Sequence, residues 1–280
     1  MTFINISKFP EGMKQKVAVI GAGTIGSAVA IALRKNGYGV IATRRRKEKI
    51  QDLEGMGIEI CSDNRRAVQS SDIIIISLKP MDAVSEIKRL SEDMQDKILI
   101  SLAAALPVGV IKKFSRSHTV RAMTNIAARV GGGFTVYCFD DEFPEERKME
   151  VRELLSSFGK IEEVEEKYMD ALTALSGSGP AYILTVIESM MYAGLKVGLP
   201  RELALKASYE TVLGAAKLVG ESGDHPSILK ELVITPAGVT IDAIYELEDS
   251  GIRTAFMRAI ESATKKSETI TKNIIEKFNV

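Results

Sequence analysis

The stretch that most restricts the fold is KVAVIGAGTIGSAVAIALRKNGYGVIATRRRKEKI, residues 16–50. An apolar run passes through a glycine turn into a segment of helical period, and a second apolar run follows. That order is β, turn, α, β, and such a unit requires a parallel sheet to receive it. The pattern GxGxxG falls on Gly21, Gly23 and Gly26, at the point where strand passes into helix. Gly21 permits the tight turn, Gly23 lets the backbone come close to a pyrophosphate, and Gly26 lets helix pack on strand. The first helical turn then carries Thr24 and Ile25, whose N–H groups and helix dipole face the phosphates. A glycine-rich turn that binds nothing is the alternative.

The second run, YGVIAT, ends at Thr43, where an NAD site places an acidic residue on the ribose hydroxyl. Here Arg44, Arg45, Arg46 and Lys47 follow instead. A guanidinium can pair with a 2'-phosphate that a carboxylate would repel. The expected cofactor is therefore NADPH, with NADH second, and Arg44 and Arg45 are the expected contacts. A solvated basic turn and a nucleic-acid patch are the other readings of this run. Thirty-seven basic residues balance thirty-seven acidic ones, so no overall field draws the chain to nucleic acid or to an anionic membrane, and neither is expected as a partner.

Further apolar runs at GIEICS, SDIIIISLKP, KILISLAAAL and HTVRAM alternate with charged segments of helical length. The alternation predicts an α/β Rossmann domain, doubly wound on a mostly parallel sheet. Ligands of such sheets lie beyond the carboxyl ends of the strands, which singles out Asn64, Lys79, Pro80, Ala103 and Asn125. Small residues in SLAAAL suit either a nicotinamide ring or close packing. GGGFTVYCF and GKIEEVEE read as the last strands of the layer, so this domain is expected to span 13–167, behind an extension of residues 1–12.

With 280 residues and 45% hydrophobic composition, the chain can bury a proper core. Cys61 and Cys138 are too few for a disulfide scaffold and lack metal-ligand spacing, so no metal is expected and a reducing cytoplasm is the natural setting. The N-terminal segment has no secretory pattern. His118, at the start of a strand, and His225, before a proline, are read as structural or surface residues.

From Tyr168 onward only helical patterning remains, which predicts an all-helical domain over 168–280. Pro200 and Pro236 are placed at first-turn positions, Thr235 as a cap, and Gly198, Gly220 and Gly251 at helix ends. LSGSGPAYILTVIESMMYAGLKVG, residues 175–198, is apolar on nearly every face. SGSGP would break a membrane span, and Tyr182, Thr185, Glu188 and Ser189 interrupt the rest. A second subunit is the expected cover, with the chain's own core as the alternative. Thr235, Pro236 and Gly238 are read as opening a helix whose free N–H groups suit a small carboxylate, and Ser176 and Ser178 as hydroxyls near that pocket.

The stretches VIGAGTIGSA, SLKP, SLAAAL, RAMTN, ALSGSGPAY and VITPAGVTIDAIYELEDSGIR together resemble the pyrroline-5-carboxylate reductase family. The resemblance covers nearly all of the chain after the first dozen residues. It implies NADPH-dependent reduction of the C=N bond of 1-pyrroline-5-carboxylate to proline, self-association through the C-terminal helices, and a cyclic imino acid bound by Thr235, Gly238, Val239 and Thr240. In the family a threonine matching Thr240 approaches the ring nitrogen. Where the family reads Arg-x-Met-Pro-Asn-Thr-Pro, this chain has Arg121, Ala122, Met123, Thr124, Asn125, Ile126 and Ala127; its Gly-Gly pair is Ala237-Gly238, followed by Val239. Three rivals stand beside this reading: an imine reductase for a differently sized ring, a non-catalytic NADP(H)-binding protein, and a relative of the β-hydroxyacid dehydrogenases or ketopantoate reductases, against which the absence of lysine from SGSGPAY and TPAGVT counts.

Overall fold

The computed structural model describes residues 14–280; the expected extension of residues 1–12 lies outside them. Eight strands form one sheet in the order β3-β2-β1-β4-β5-β6-β7-β8. They are β1 Lys14–Ile20, β2 Tyr38–Thr43, β3 Glu59–Cys61, β4 Ile73–Ile76, β5 Ile98–Ser101, β6 His118–Met123, β7 Gly133–Phe139 and β8 Gly159–Glu163. β1 to β6 run parallel, β7 is antiparallel to β6, and β8 is parallel to β7. The helices between them are α1 Thr24–Lys35, α2 Asn64–Gln69, α3 Pro80–Arg89, α4 Val108–Lys112 and α5 Glu145–Ser156. This is the doubly wound arrangement, with its topological switch between β1 and β4.

The strands read as unbroken apolar runs because both faces of the sheet are covered. Period-two alternation sorts their side chains between two cores. Val17, Val19, Ile73 and Ile75 join Val29 and Leu33 of α1 on one face. Ala18, Ile20, Ile74 and Ile76 join Val84 and Ile87 of α3 on the other. Each fully buried isoleucine contributes roughly 1.5–3 kcal/mol over leaving it in water.

Beyond β8 the described chain is helical: α6 Met169–Leu172, α7 Gly179–Lys196, α8 Arg201–Ser222, α9 Pro226–Glu231, α10 Val239–Asp249 and α11 Ile252–Phe278. By packing, Gly179–Ser262 forms one compact unit, and the rest of the described chain, including Ala263–Val280, forms the other. Ile274 is buried in the α3 face of the sheet core, and Phe278 packs beside it. The last turns of α11 therefore belong to the α/β unit, which the uniform helical pattern of 168–280 does not reveal.

Three boundary expectations are corrected. Gly220 lies inside α8, which runs on to Ser222 and ends at Gly223 in the left-handed conformation (φ 71°). Pro200 sits just ahead of α8 rather than within its first turn. Thr235 does not cap a helix beginning at Pro236, because residues 235–238 form a turn and α10 starts at Val239 with Gly238 as its cap. The delay has a local cause: Ala237 adopts φ 56°, outside the right-handed helical region. Among the described residues, no helix is long and apolar enough to cross a membrane.

Candidate active site

At the carboxyl ends of β1, β2 and β4 lies a cleft of about 600 Å³. Gly21, Gly23, Arg44, Arg45, Asn64 and Lys79 line it, so six of the expected cofactor residues come together. Arg46, Lys49, Ser62, Ser77 and Leu78 also line it. Arg46 belongs to the basic run, Ser77 and Leu78 flank the switch point, and Lys49 had no signal of its own.

The glycine turn is built as its spacing requires. Gly21 has φ 94°, and a Cβ there would stand 2.5 Å from Leu78 Cδ2. A Cβ on Gly26 would meet the carbonyl oxygen of Gly21, so glycine is needed for helix to approach strand. A Cβ on Gly23 would meet no protein atom, which leaves its space to a ligand. The first intrahelical bond of α1 here is Ser27 N–H to Gly23 C=O, 2.9 Å. The N–H groups of Thr24, Ile25 and Gly26 thus have no helical acceptor, no side chain caps them, and no acidic residue stands in the first turn. A pyrophosphate fits this end of α1.

The basic run divides its work. Arg44 is half-buried, and its Nη1 donates to the Ala22 carbonyl at 3.1 Å, bracing the glycine turn. Arg45 and Arg46 are exposed, and no ion pair holds either of them among the described residues. These two, rather than Arg44, have guanidinium groups to spare for a phosphate. Asn64 opens α2 and donates to Glu86 Oε1 at 3.1 Å. Lys79 caps α3, and Pro80 is its first residue.

Ala103 and Asn125 are placed differently from the expectation. Ala103 is only 2% exposed, while its neighbour Ala104 faces solvent. Asn125, at 6% exposure, spends its amide inside the protein: Oδ1 accepts from Ala127 N–H at 3.0 Å, and Nδ2 donates to the Ser176 carbonyl at 3.0 Å. Ser176 Oγ donates back to the Leu172 carbonyl at 2.9 Å. Ser178 is exposed.

In the helical unit, Gly238 N–H donates to the Thr235 carbonyl at 3.1 Å, and a Cβ on Gly238 would strike Thr235 Oγ1. The turn therefore consumes the N–H of Gly238. The free donors are those of Val239, Thr240 and Ile241 in the first turn of α10, which no side chain caps. Val239 is 88% exposed, and Thr240 is half-buried.

His225 is the cap of α9, its Nδ1 accepting from Ser227 N–H. His118 packs edge-on to Phe143, with ring centroids 6.0 Å apart. Both cysteines are free and buried. Burial pushes the Cys138 thiol up to about 12, so it stays protonated. No group of three or more histidine, cysteine or carboxylate side chains suited to a metal occurs among the described residues.

Residues 166–270 match a family model described as pyrroline-5-carboxylate reductase dimerisation. Residues 16–105 match one described as NADP oxidoreductase coenzyme F420-dependent. The chain is 38% identical to a pyrroline-5-carboxylate reductase of Methanosarcina acetivorans, over 92% of this chain and 98% of that protein. It is 36% identical to one of Arabidopsis thaliana, over 92% and 96%. A crystal structure of the Plasmodium falciparum pyrroline carboxylate reductase with NADP bound superposes with a TM-score of 0.84 at 30% identity, covering 93% of this chain and all of that one.

Proposed function

The chain belongs to the pyrroline-5-carboxylate reductase family, and from that membership we infer that it reduces 1-pyrroline-5-carboxylate to L-proline with NADPH, the last step of proline biosynthesis. The carrying observation is the 38% identity with the Methanosarcina protein over 92% of the chain, a span that includes both compact units. NADPH, when bound, supplies the hydride that the C=N carbon accepts. The chain's own residues bind, orient and protonate.

For the cofactor, the N–H groups of Thr24, Ile25 and Gly26 hold the pyrophosphate, and Arg45 and Arg46 hold the 2'-phosphate. For the substrate, the N–H groups of Val239 and Thr240 hold the carboxylate at the positive end of α10. Thr235 and Gly238 shape the turn before it. The Thr240 hydroxyl has no hydrogen-bond partner among the described residues and is available to the imine nitrogen, whose protonation the reduction requires. The protein self-associates, and the matched dimerisation segment supports α7 to α11 as the surfaces that do so.

The test is NADPH oxidation in the presence of pyrroline-5-carboxylate, run beside NADH and beside Thr240→Ala. Turnover with NADPH preferred, and a loss of about a hundredfold in kcat/KM for the variant, are expected. No oxidation above buffer would overturn the reading. A higher kcat/KM for a six-membered cyclic imino acid would transfer the activity to that substrate.

A further inference from the structure

The turn between β1 and α1 is fastened to the end of β2 at two successive residues. Gly21 N–H donates to Thr43 Oγ1 at 3.3 Å, and Ala22 N–H donates to the Thr43 carbonyl at 2.7 Å. The Ala22 carbonyl in turn accepts from Arg44 Nη1 at 3.1 Å and from Ser27 Oγ at 3.3 Å. At the other end of the same peptide, Gly23 N–H donates to the Gly21 carbonyl at 2.8 Å. The peptide between Ala22 and Gly23 is thus held by both of its polar atoms. Glycines flank Ala22, with Gly21 at φ 94°, and a residue between two glycines sits in backbone that rotates freely unless it is held. The strand end that holds it is itself fixed: Thr43 is 1% exposed, and Arg44 N–H donates to the Cys61 carbonyl of β3 at 3.2 Å.

We propose that Arg44 is a positioning residue for the dinucleotide: it fixes the Ala22–Gly23 peptide at the start of α1, and so presents the free N–H groups of Thr24, Ile25 and Gly26 to the pyrophosphate that NADPH and NADH share. Gly23 leads into α1 as its cap, so rotation of the peptide before it would redirect the first turn. A turn ordered before binding avoids the conformational entropy that a loose one loses on meeting a phosphate. Arg45 and Arg46 discriminate between the two dinucleotides, whereas Arg44 serves both alike. The proposal rests on the proposed function for the identity of the cofactor, while the brace joins residues within one compact unit.

A double-mutant cycle scored on binding tests this. Arg44→Met keeps the long stem and removes the donor to the Ala22 carbonyl, while Thr43→Val keeps the shape and removes the acceptor for Gly21 N–H. Fluorescence titrations with NADPH and NADH, and competition by adenosine 2'-phosphate, which lacks the pyrophosphate, are read for wild type, both single variants and the pair. Arg44→Met is expected to raise Kd for NADPH and for NADH by the same factor, roughly tenfold, and to leave that of adenosine 2'-phosphate unchanged within about twofold. Thr43→Val should weaken both dinucleotides, and the pair should lose less than the product of the single losses, because both side chains hold one turn. A loss confined to NADPH and adenosine 2'-phosphate would make Arg44 a contact of the 2'-phosphate and overturn the proposal. Losses that multiply in the pair would overturn it by making Arg44 an independent contact of the pyrophosphate, and unchanged affinity would leave the brace without a function. If Arg44→Met fails to fold, Arg44→Gln and its pair with Thr43→Val carry the same comparison. Wild type that binds both dinucleotides but leaves pyrroline-5-carboxylate unreduced would refute the functional reading alone; wild type that binds neither would refute both.

Discussion

Arg44, Arg45 and Arg46 are neighbours in sequence with different jobs. Arg44 turns inward to the Ala22 carbonyl, while Arg45 and Arg46 stay exposed beside the phosphate turn. Replacing Arg45 and Arg46 together by alanine should raise KM for NADPH by one to two orders of magnitude and leave KM for NADH nearly unchanged, since only the 2'-phosphate loses its charge-assisted bonds. Steady-state kinetics with both nucleotides checks this, and an equal loss for both would count against the assignment. Sequence chemistry identified the basic run, because a carboxylate is missing where NAD sites need one. Which arginine turns inward depends on a carbonyl brought close by folding. Asn125 and Ala103 carry the same lesson: their positions at strand ends were legible, but their hydrogen bonds and burial were not.

At the scale of elements, α7 is the clearest case. Its sequence is apolar almost throughout, yet the isolated chain leaves Leu184 61% exposed, with Ile183 and Tyr192 about it also exposed. Such a face is stable in water only when another surface covers it. Leu184→Glu should therefore convert the oligomer to monomer and lower activity with it, while the secondary structure survives because little of the chain's own core is touched. Sedimentation and circular dichroism test the two parts separately, and a variant that stays oligomeric would remove α7 from the interface. The start of α10 was less legible than its existence. Proline after threonine reads as a helix start, but Ala237 in the left-handed region delays α10 to Val239 and moves the free N–H groups with it.

For the whole molecule, burial sets the response to alkali. The Cys138 thiol is pushed up to about 12, chiefly by burial, with Glu166 adding to it. The Tyr38 hydroxyl is also pushed up to about 12, by burial first and by Glu153 and Glu150 after it. Both groups hold their protons longer folded than unfolded, so their contribution is intact below the ordinary values and is lost as pH rises from about 9 toward 12. Lys97, lowered by burial, works in the opposite sense and offsets part of the loss. Melting temperature should fall between pH 9 and 11 at fixed protein concentration, and the slope should be shallower in Cys138→Ala. A slope unchanged by that substitution would remove Cys138 from the account.

The sequence by itself determined the α/β layer, its glycine turn, the basic run that stands where an NAD site carries an acidic residue, and the helical second half. Each of these follows from local periodicity or from the steric and charge needs of a few adjacent residues, which survive in one dimension. Only the tertiary structure decided that the last turns of α11 return to the sheet core, that Arg44 braces the glycine turn, and that Asn125 reaches the Ser176 carbonyl. These depend on residues about 20, 50 and more positions apart meeting in space, and nothing in the local pattern of either partner encodes that meeting.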